Sequence, residues 1–301
     1  MSNLLLLGIC FGLGLLFRRS GRFPESTTQV LNGFILHVSL PALVLYHIHE
    51  LRITTAILLP ALMPWIVFLL AAGFFLTLYK FKKIEFKTAV CLILTAGFGN
   101  TSFVGFPLLE AYLGKESLGY GIVADQLGTF LALSFPGIIL ASLAEHDSWE
   151  FKPLFVKVIG FAPVQALILA FLLRPFPYPE WAKIILLRLG DTLTPLALVS
   201  VGYLLNLRTL GGHKKTLLLG LGFKLAFVPL LVYFIYAKIT PDRMMFETIV
   251  LEASMAPMVT STIIAMEKHL NPHLAGLMLG VGIPLSFGTT WIVLNIIRGI
   301  N

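Results

Sequence analysis

The 301-residue chain is 57% hydrophobic and 12% charged, with a mean hydropathy of +0.89. A soluble fold of that composition would hold more apolar surface than it could bury, so the chain reads as an all-α polytopic membrane protein. The formal charge of +7 would suit a nucleic-acid partner, but Lys and Arg fall mainly in short loops between apolar runs, as membrane orientation requires, and no nucleic-acid binding is expected.

In chain order there are ten apolar segments: Asn3–Phe17, Ser26–His47, Ile53–Tyr79, Thr88–Tyr112, Tyr120–Ala144, Leu154–Leu173, Trp181–Leu205, Thr216–Ala237, Met244–Met266 and Leu274–Ile297. The first run has no Lys or Arg before it and ends in Arg18-Arg19 without a small-residue cleavage site, so it reads as a membrane span and not a secretion signal. Cys10 and Cys91 lie in apolar runs, which suggests neither a disulfide framework nor a metal cluster. Loops on one side carry thirteen Lys and Arg and those on the other seven, which places the richer, odd-numbered loops in the cytoplasm and both termini outside. The remaining two basic residues, Arg188 and Lys224, lie inside spans.

The fourth segment is a poor helix. Its centre, Ala96 to Pro107, carries Gly97, Gly99 and Gly105, the polar run Asn100-Thr101-Ser102, and Pro107. Broken helix at membrane depth survives only where protein or a water-filled cavity satisfies its backbone. The ninth segment is interrupted in the same way at Leu251-Glu-Ala-Ser-Met-Ala-Pro257. Paired interruptions in the two halves of a chain point to the binding site of a secondary transporter. Short matches recur at offsets of 150 to 155: Phe23-Pro24-Glu25 with Tyr178-Pro179-Glu180, Pro41 with Pro195, Pro107 with Pro257, and Leu133-Ser134-Phe135 with Leu285-Ser286-Phe287. Five spans per half make the second half enter upside down, so residues 1–150 and 151–301 read as two inverted five-helix repeats.

A half-helix is expected to begin after Pro107 and after Pro257, its positive dipole end facing the break, where a carboxylate is favoured. Asn100, Thr101, Ser102, Thr260 and Ser261, with Thr262 beside them, would supply polar contacts around the two prolines. The alternative is that these small polar residues only join helices and repair dangling backbone. Glu252, five positions before Pro257, is an intramembrane carboxylate and hence a functional candidate. Asp125 and Gln126 in the fifth span are its candidate neighbours, and hard oxygens of this kind would suit sodium, while a carboxylate could instead carry a proton. The structural alternative pairs Glu252 or Asp125 with Lys224 or Arg188. Lys224 is a candidate second anion anchor, yet it lies early enough in its span to snorkel to the interface. Arg188 and Asp191, three apart, are expected to pair with each other. Glu110, His47, His49, His146, His213, His269 and His273 fall near span ends, and no metal is expected at these histidines.

Gly-Asn-Thr-Ser-Phe-Val-Gly-Phe-Pro in the fourth span, Thr-Pro-Leu-Ala-Leu-Val-Ser-Val-Gly-Tyr in the seventh and Ala-Pro-Met-Val-Thr-Ser in the ninth resemble the auxin efflux carrier family of prokaryotic permeases, relatives of the plant PIN-type auxin transporters. The resemblance runs over nearly the whole chain. It implies a ten-helix fold shared with bile acid/sodium symporters, in which spans 4 and 9 break and cross with substrate at the crossing. Spans 1, 2, 6 and 7 would form a scaffold, and spans 3–5 and 8–10 a mobile transport domain. Asn32 and His37 would then make helix–helix contacts in the scaffold. The plant proteins are similar dimers, which makes a homodimer an expectation, and they usually carry a long loop where this chain has only Glu145 to Pro153. The run from Glu252 through Ser254 to Pro257 also looks like the sodium-binding segment of the bile acid symporters. The serine that precedes the fourth-span Asn in that family is replaced here by Gly99, so sodium or a proton remains open as the coupling ion.

No His-Glu-x-x-His, Gly-x-Ser-x-Gly or phosphate-binding Gly-x-x-x-x-Gly-Lys is present, so an enzyme is not expected. The sequence reads as a secondary transporter of the cytoplasmic membrane, carrying a small organic anion, auxin-like or a mono- or dicarboxylate, by elevator-type alternating access. The competing readings are a sodium-coupled symporter of the bile-acid type and an anion channel.

Overall fold

The computed structural model describes residues 2–24, 26–51, 55–145, 156, 159–204 and 214–299. Most of the short loop 145–153 lies outside them, as do Arg52, Lys152, Lys157, Arg208, His146 and His213 of the sequence reading. The regular elements of the described chain are all helices. Its elements are α1 (Ser2–Ser20), α2 (Thr27–Glu50), α3 (Thr55–Lys80), α4 (Phe86–Ala96), α5 (Phe106–Leu113), α6 (Lys115–Ala144), α7 (Ala162–Leu173), α8 (Glu180–Tyr203), α9 (Lys214–Tyr236), α10 (Arg243–Ala253), α11 (Val259–Glu267) and α12 (Pro272–Gly299). Among the described residues, six of these (α2, α3, α6, α8, α9 and α12) are long and apolar enough to cross a membrane, and α4 and α7 are shorter apolar helices. The protein is thus an all-α, multi-pass membrane protein. Leu5, Ile9, Leu16, Leu218, Phe234 and Trp291 stand exposed on helix surfaces, where lipid makes apolar exposure favourable.

The chain divides into two compact units, Met1–Thr54 with Ser102–Ile122 and Phe155–Leu205, and Thr55–Thr101 with Val123–Leu154 and Asn206–Asn301. In the first unit α1 packs on α8, α2 packs on α7 and α8, and α5 touches α1 and α8. Gly14 and Gly202 set the closest approach. A Cβ on Gly14 would stand 2.2 Å from the Val199 carbonyl oxygen, and one on Gly202 would stand 2.3 Å from that of Phe11. Two helices can meet backbone to backbone only over such small residues, and van der Waals packing of this kind is what holds helices together in lipid. Polar groups tie the same helices: Ser200 donates to Asn32 at 2.6 Å, Ser39 and Thr192 share a 2.7 Å hydrogen bond, and Arg18 donates to the Tyr203 carbonyl at 2.8 Å. Asn32 is a helix–helix contact, as expected. His37 instead bonds the Gly33 carbonyl of its own helix.

Asp191 does not pair with Arg188. It takes Lys115 at 2.5 Å, while Glu110 accepts from Thr194 at 3.1 Å and lies 3.9 Å from the same lysine. The three-residue spacing held no information about the cross-helix cation that reaches Asp191 first.

In the second unit α4 is the core helix. Every residue from Ala89 to Ala96 is buried, so the unbroken apolar run reflects neighbours on all sides. These include α3, α9, α11 and α12. Trp65 of α3 donates to the Leu127 carbonyl of α6 at 3.0 Å, and Tyr236 of α9 donates to the Leu59 carbonyl at 3.1 Å.

Gly202→Val places a branched side chain against the Phe11 backbone. We expect it to cost about 3 kcal/mol by overpacking, and to lower the melting temperature of the purified protein by several degrees; an unchanged melt would show that α1 and α8 can separate freely.

Candidate functional site

The fourth apolar segment folds as α4, an unwound stretch at 97–100, a π-helical turn Thr101–Gly105, and α5. The ninth folds as α10, an unwound stretch from 254 to 258, and α11. Gly97 ends α4 by donating to the Ile93 carbonyl at 2.8 Å, and Ser254 ends α10 by donating to those of Val250 and Leu251. The two unwound stretches then run antiparallel, with Gly99 opposite Pro257. Asn100 N–H donates to the Ala256 carbonyl at 2.8 Å, and Met258 N–H donates to that of Phe98 at 3.2 Å.

This pairing explains the residue choice. Gly99 and Pro257 face each other without bonding to each other, the position in an antiparallel ladder where backbones come closest and where proline's missing N–H costs nothing. Each break satisfies part of the other's backbone, which broken helices in lipid require. Pro257 therefore stands at a break. Pro107 does not: helical backbone has already resumed at Thr101, and Pro107 sits buried just after the π-helical turn 101–105, the kind of local widening that accompanies a proline inside a helix. The residue opposite Pro257 is Gly99, so the half-helix expected after Pro107 begins six residues earlier.

Around this crossing, within the second unit, lie the charged groups. Glu252 is 1% exposed, and among the described residues neither of its carboxylate oxygens has a hydrogen-bond partner. Asp125 and Lys224 are the charged groups that act on it electrostatically. Asp125, buried on a π-helical turn of α6, accepts from Thr101 Oγ1 at 2.5 Å and from Gln126 Nε2 at 2.6 Å. Gln126 is also buried, with its Oε1 unpartnered among the described residues. Lys224 stands on the π-helical turn Phe223–Phe227 of α9 and is 1% exposed. It does not snorkel. Its Nζ donates to the Ala253 carbonyl, the last turn of α10, at 2.9 Å.

The structure thus gathers Asn100, Thr101, Asp125, Gln126, Glu252 and Pro257, and with them Lys224, which the sequence offered as a partner of Glu252 or Asp125, as an anion anchor or as a residue snorkelling to the interface. π-Turns widen a helix locally and recur at functional sites. Thr101, Asp125, Gln126 and Lys224 all stand on such turns, which no sequence period announces. Ser254, Ser261 and Thr262 are buried, but their hydroxyls donate to backbone carbonyls three or four residues back, Ser254 to Leu251 at 2.7 Å and Ser261 and Thr262 to Met258 at 3.1 and 2.7 Å. They act on their own helix turns. Thr260 is exposed on α11. Ser102 and Pro107 are buried and belong to the first unit.

Glu252 and the Ala253 carbonyl are hard oxygens of the kind a sodium ion takes, and Lys224 Nζ already donates to that carbonyl.

Thr101→Val keeps the shape and deletes a donor to the buried Asp125 carboxylate. Hydrogen bonds to charged groups contribute about 2 kcal/mol, so the melting temperature should fall by several degrees with urea or detergent sensitivity to match; a neutral outcome would show that Asp125 does not depend on this hydroxyl.

Residues 1–153 match the model of the family described as membrane transport protein. An uncharacterized transporter of Methanothermobacter thermautotrophicus is 25% identical over 266 residues, covering 87% of this chain and 86% of that one. An uncharacterized transporter of Methanocaldococcus jannaschii is also 25% identical, over 216 residues, covering 66% of this chain and 70% of its own length. With a family match that takes in half of the sequence, beginning at α1 and including the whole of the first helix break, the chain belongs to the membrane transport protein family, a family of transporters and not of enzymes, in keeping with its resemblance to the auxin efflux carriers.

Proposed function

We propose that the chain is a secondary transporter of the cytoplasmic membrane that carries a small organic anion, a mono- or dicarboxylate or an auxin-like acid. The observation that carries this reading is the antiparallel pairing of the two unwound stretches about Gly99 and Pro257. Such a crossing brings four helix ends to one place. The carbonyl ends of α4 and α10 are negative, and Lys224 already meets that of α10 through Ala253. The N–H ends that start at Thr101 and Val259 are positive and favour an anion. Asn100 and Thr101, buried where the first of these ends begins, supply neutral polar contacts.

On this reading the ten apolar segments span the membrane as two inverted five-helix repeats with both termini outside. Spans 3–5 and 8–10, which hold the crossing, are the moving body, and spans 1, 2, 6 and 7 are the scaffold. Alternating access would then proceed by displacement of the one relative to the other, in the manner of an elevator.

A panel of mono- and dicarboxylates, indole acids and bile acids tests the substrate class through the melting temperature of the detergent-purified protein. A ligand at a hundred times its Kd stabilises the folded state by about 2.7 kcal/mol, so the right acid should raise the melt by several degrees. Asn100→Ala should melt like the wild type without ligand and require roughly tenfold more acid for the same shift, a loss of about 1.4 kcal/mol. No shift from any carboxylate would sink the organic-anion reading, and an unchanged dose response in the variant would remove Asn100 from the site.

A further inference from the structure

Within the second unit α3 and α9 run antiparallel. Tyr236, at the end of α9, donates to the Leu59 carbonyl near the start of α3, while Phe223 in the middle of α9 stacks on Phe74 late in α3, ring centroids 5.3 Å apart. An open cleft of about 530 Å³ lies here, lined by Phe74, Leu218, Gly222, Phe223 and Phe227, with Lys215 on the first turn of α9 as its charged residue. Leu218 is 75% exposed, so hydrocarbon and not protein completes these walls. A Cβ on Gly222 would meet no atom within 4 Å. Glycine weakens a helix interior, and no protein contact requires one at this position, so its missing side chain serves only to keep the cleft deep.

Antiparallel pairing brings the end of α3 to the level at which α9 starts. Lys80 ends α3, Lys82 and Lys83 follow in the turn, Lys87 stands on the first turn of α4, and Lys214 precedes Lys215. All six are exposed, and none makes an ion pair among the described residues. The turn from α11 to α12 reaches the same end, where Asn271 donates to Thr88 at 3.3 Å, and it adds Lys268. The carboxylates of these turns are Glu85 and Glu267, so lysine is in clear excess. Tyr79, exposed on the last turn of α3, is a residue type that settles at the headgroup level.

We propose that this cleft is a binding site for one anionic phospholipid, its phosphate on Lys215 and an acyl chain laid over Phe74, Gly222, Phe223 and Phe227.

The apolar walls would take any acyl chain, and the selection comes from the lysines. Each lysine held near the membrane surface attracts an anionic headgroup, whereas a zwitterionic one offers it no net charge. A phospholipid can lay one chain in the cleft and keep the other in the bilayer, so it occupies the site without leaving the membrane. The site also adjoins the crossing. The π-helical turn Phe223–Phe227 gives two rings to the cleft and Lys224 to the Ala253 carbonyl, so a lipid seated there lies against the turn that positions Lys224.

The inference does not rest on the substrate reading, and its test needs no substrate. The full chain, purified in detergent and depleted of lipid, is melted with increasing phosphatidylglycerol or with phosphatidylcholine of the same acyl chains. Phosphatidylglycerol is expected to raise the melting temperature saturably by about 3 °C, and phosphatidylcholine by less than about 1 °C. Lys215→Gln alters an exposed side chain, so it should melt like the wild type without lipid and need about fivefold more phosphatidylglycerol for the same rise. Gly222→Leu enters open space, so it should melt no lower than the wild type and lose the response. Should it fail to fold, Phe227→Ser, which strips an exposed ring from the cleft, takes its place. An equal response to the two lipids overturns the proposal, as does a full phosphatidylglycerol response retained by either the charge variant or the cleft variant. Stabilisation by oleate and not by phosphatidylglycerol also overturns it, and assigns the cleft to a free fatty acid.

Discussion

Two backbone hydrogen bonds, Asn100 N–H to the Ala256 carbonyl and Met258 N–H to that of Phe98, are the constraint on which the rest of the second unit depends. A helix interrupted in lipid exposes donors and acceptors that cost several kcal/mol each when unmet. Here the interruptions occur twice and cancel in part, because each unwound stretch offers the other the groups that a helix would have satisfied internally. The sequence consequences are local and strict. One stretch needs a residue without a Cβ, the other tolerates proline because its position donates nothing, and both must be enclosed by protein. The burial of α4 from Ala89 to Ala96 and of α10 from Ile249 to Ala253 supplies that enclosure.

Charge follows from the same geometry. Unwinding two helices at one level leaves two negative and two positive ends in a buried place, and each asks for a counter-charge. Lys224 answers the negative end of α10 with N–H donors drawn from α9. Asp125 is tied to the start of the next helix through Thr101 and to its neighbour Gln126. Glu252 is buried beside them without a hydrogen-bond donor among the described residues, a costly arrangement that stability alone would not favour. Buried polar groups left in that condition are characteristic of sites that have a task.

Much of this was legible in the sequence because it rests on composition and on glycine and proline. The apolar runs identify the membrane helices, and Gly97, Gly99 and Pro257 mark where two of them fail. Glu252 and Asp125 stand out because a carboxylate in an apolar run has no cheap explanation. What could not be read is whatever depends on direction in space. Pro107 resembles Pro257 in sequence, yet it lies inside a helix that had restarted at Thr101, and the partner of Pro257 is Gly99, eight residues before Pro107. Lys224 lies close enough to the end of its span to reach water on paper; it stands buried on a π-turn, and π-turns leave no periodic trace. Asp191 takes Lys115, distant in sequence, over the arginine three residues away. The hydroxyls of Ser254, Ser261 and Thr262 are absorbed by their own helices, a use that residue type alone does not distinguish from ligand contact.

The most direct test of a carrier built on this crossing is counterflow in proteoliposomes, using the acid that most raises the melting temperature. If the crossing binds one substrate at a time and presents it to alternate sides, entry of labelled acid saturates with concentration and is accelerated several-fold by unlabelled acid preloaded inside. Entry that rises linearly with concentration, indifferent to preloaded acid and accompanied by single-channel currents, would contradict the carrier and make the two breaks the lining of a pore.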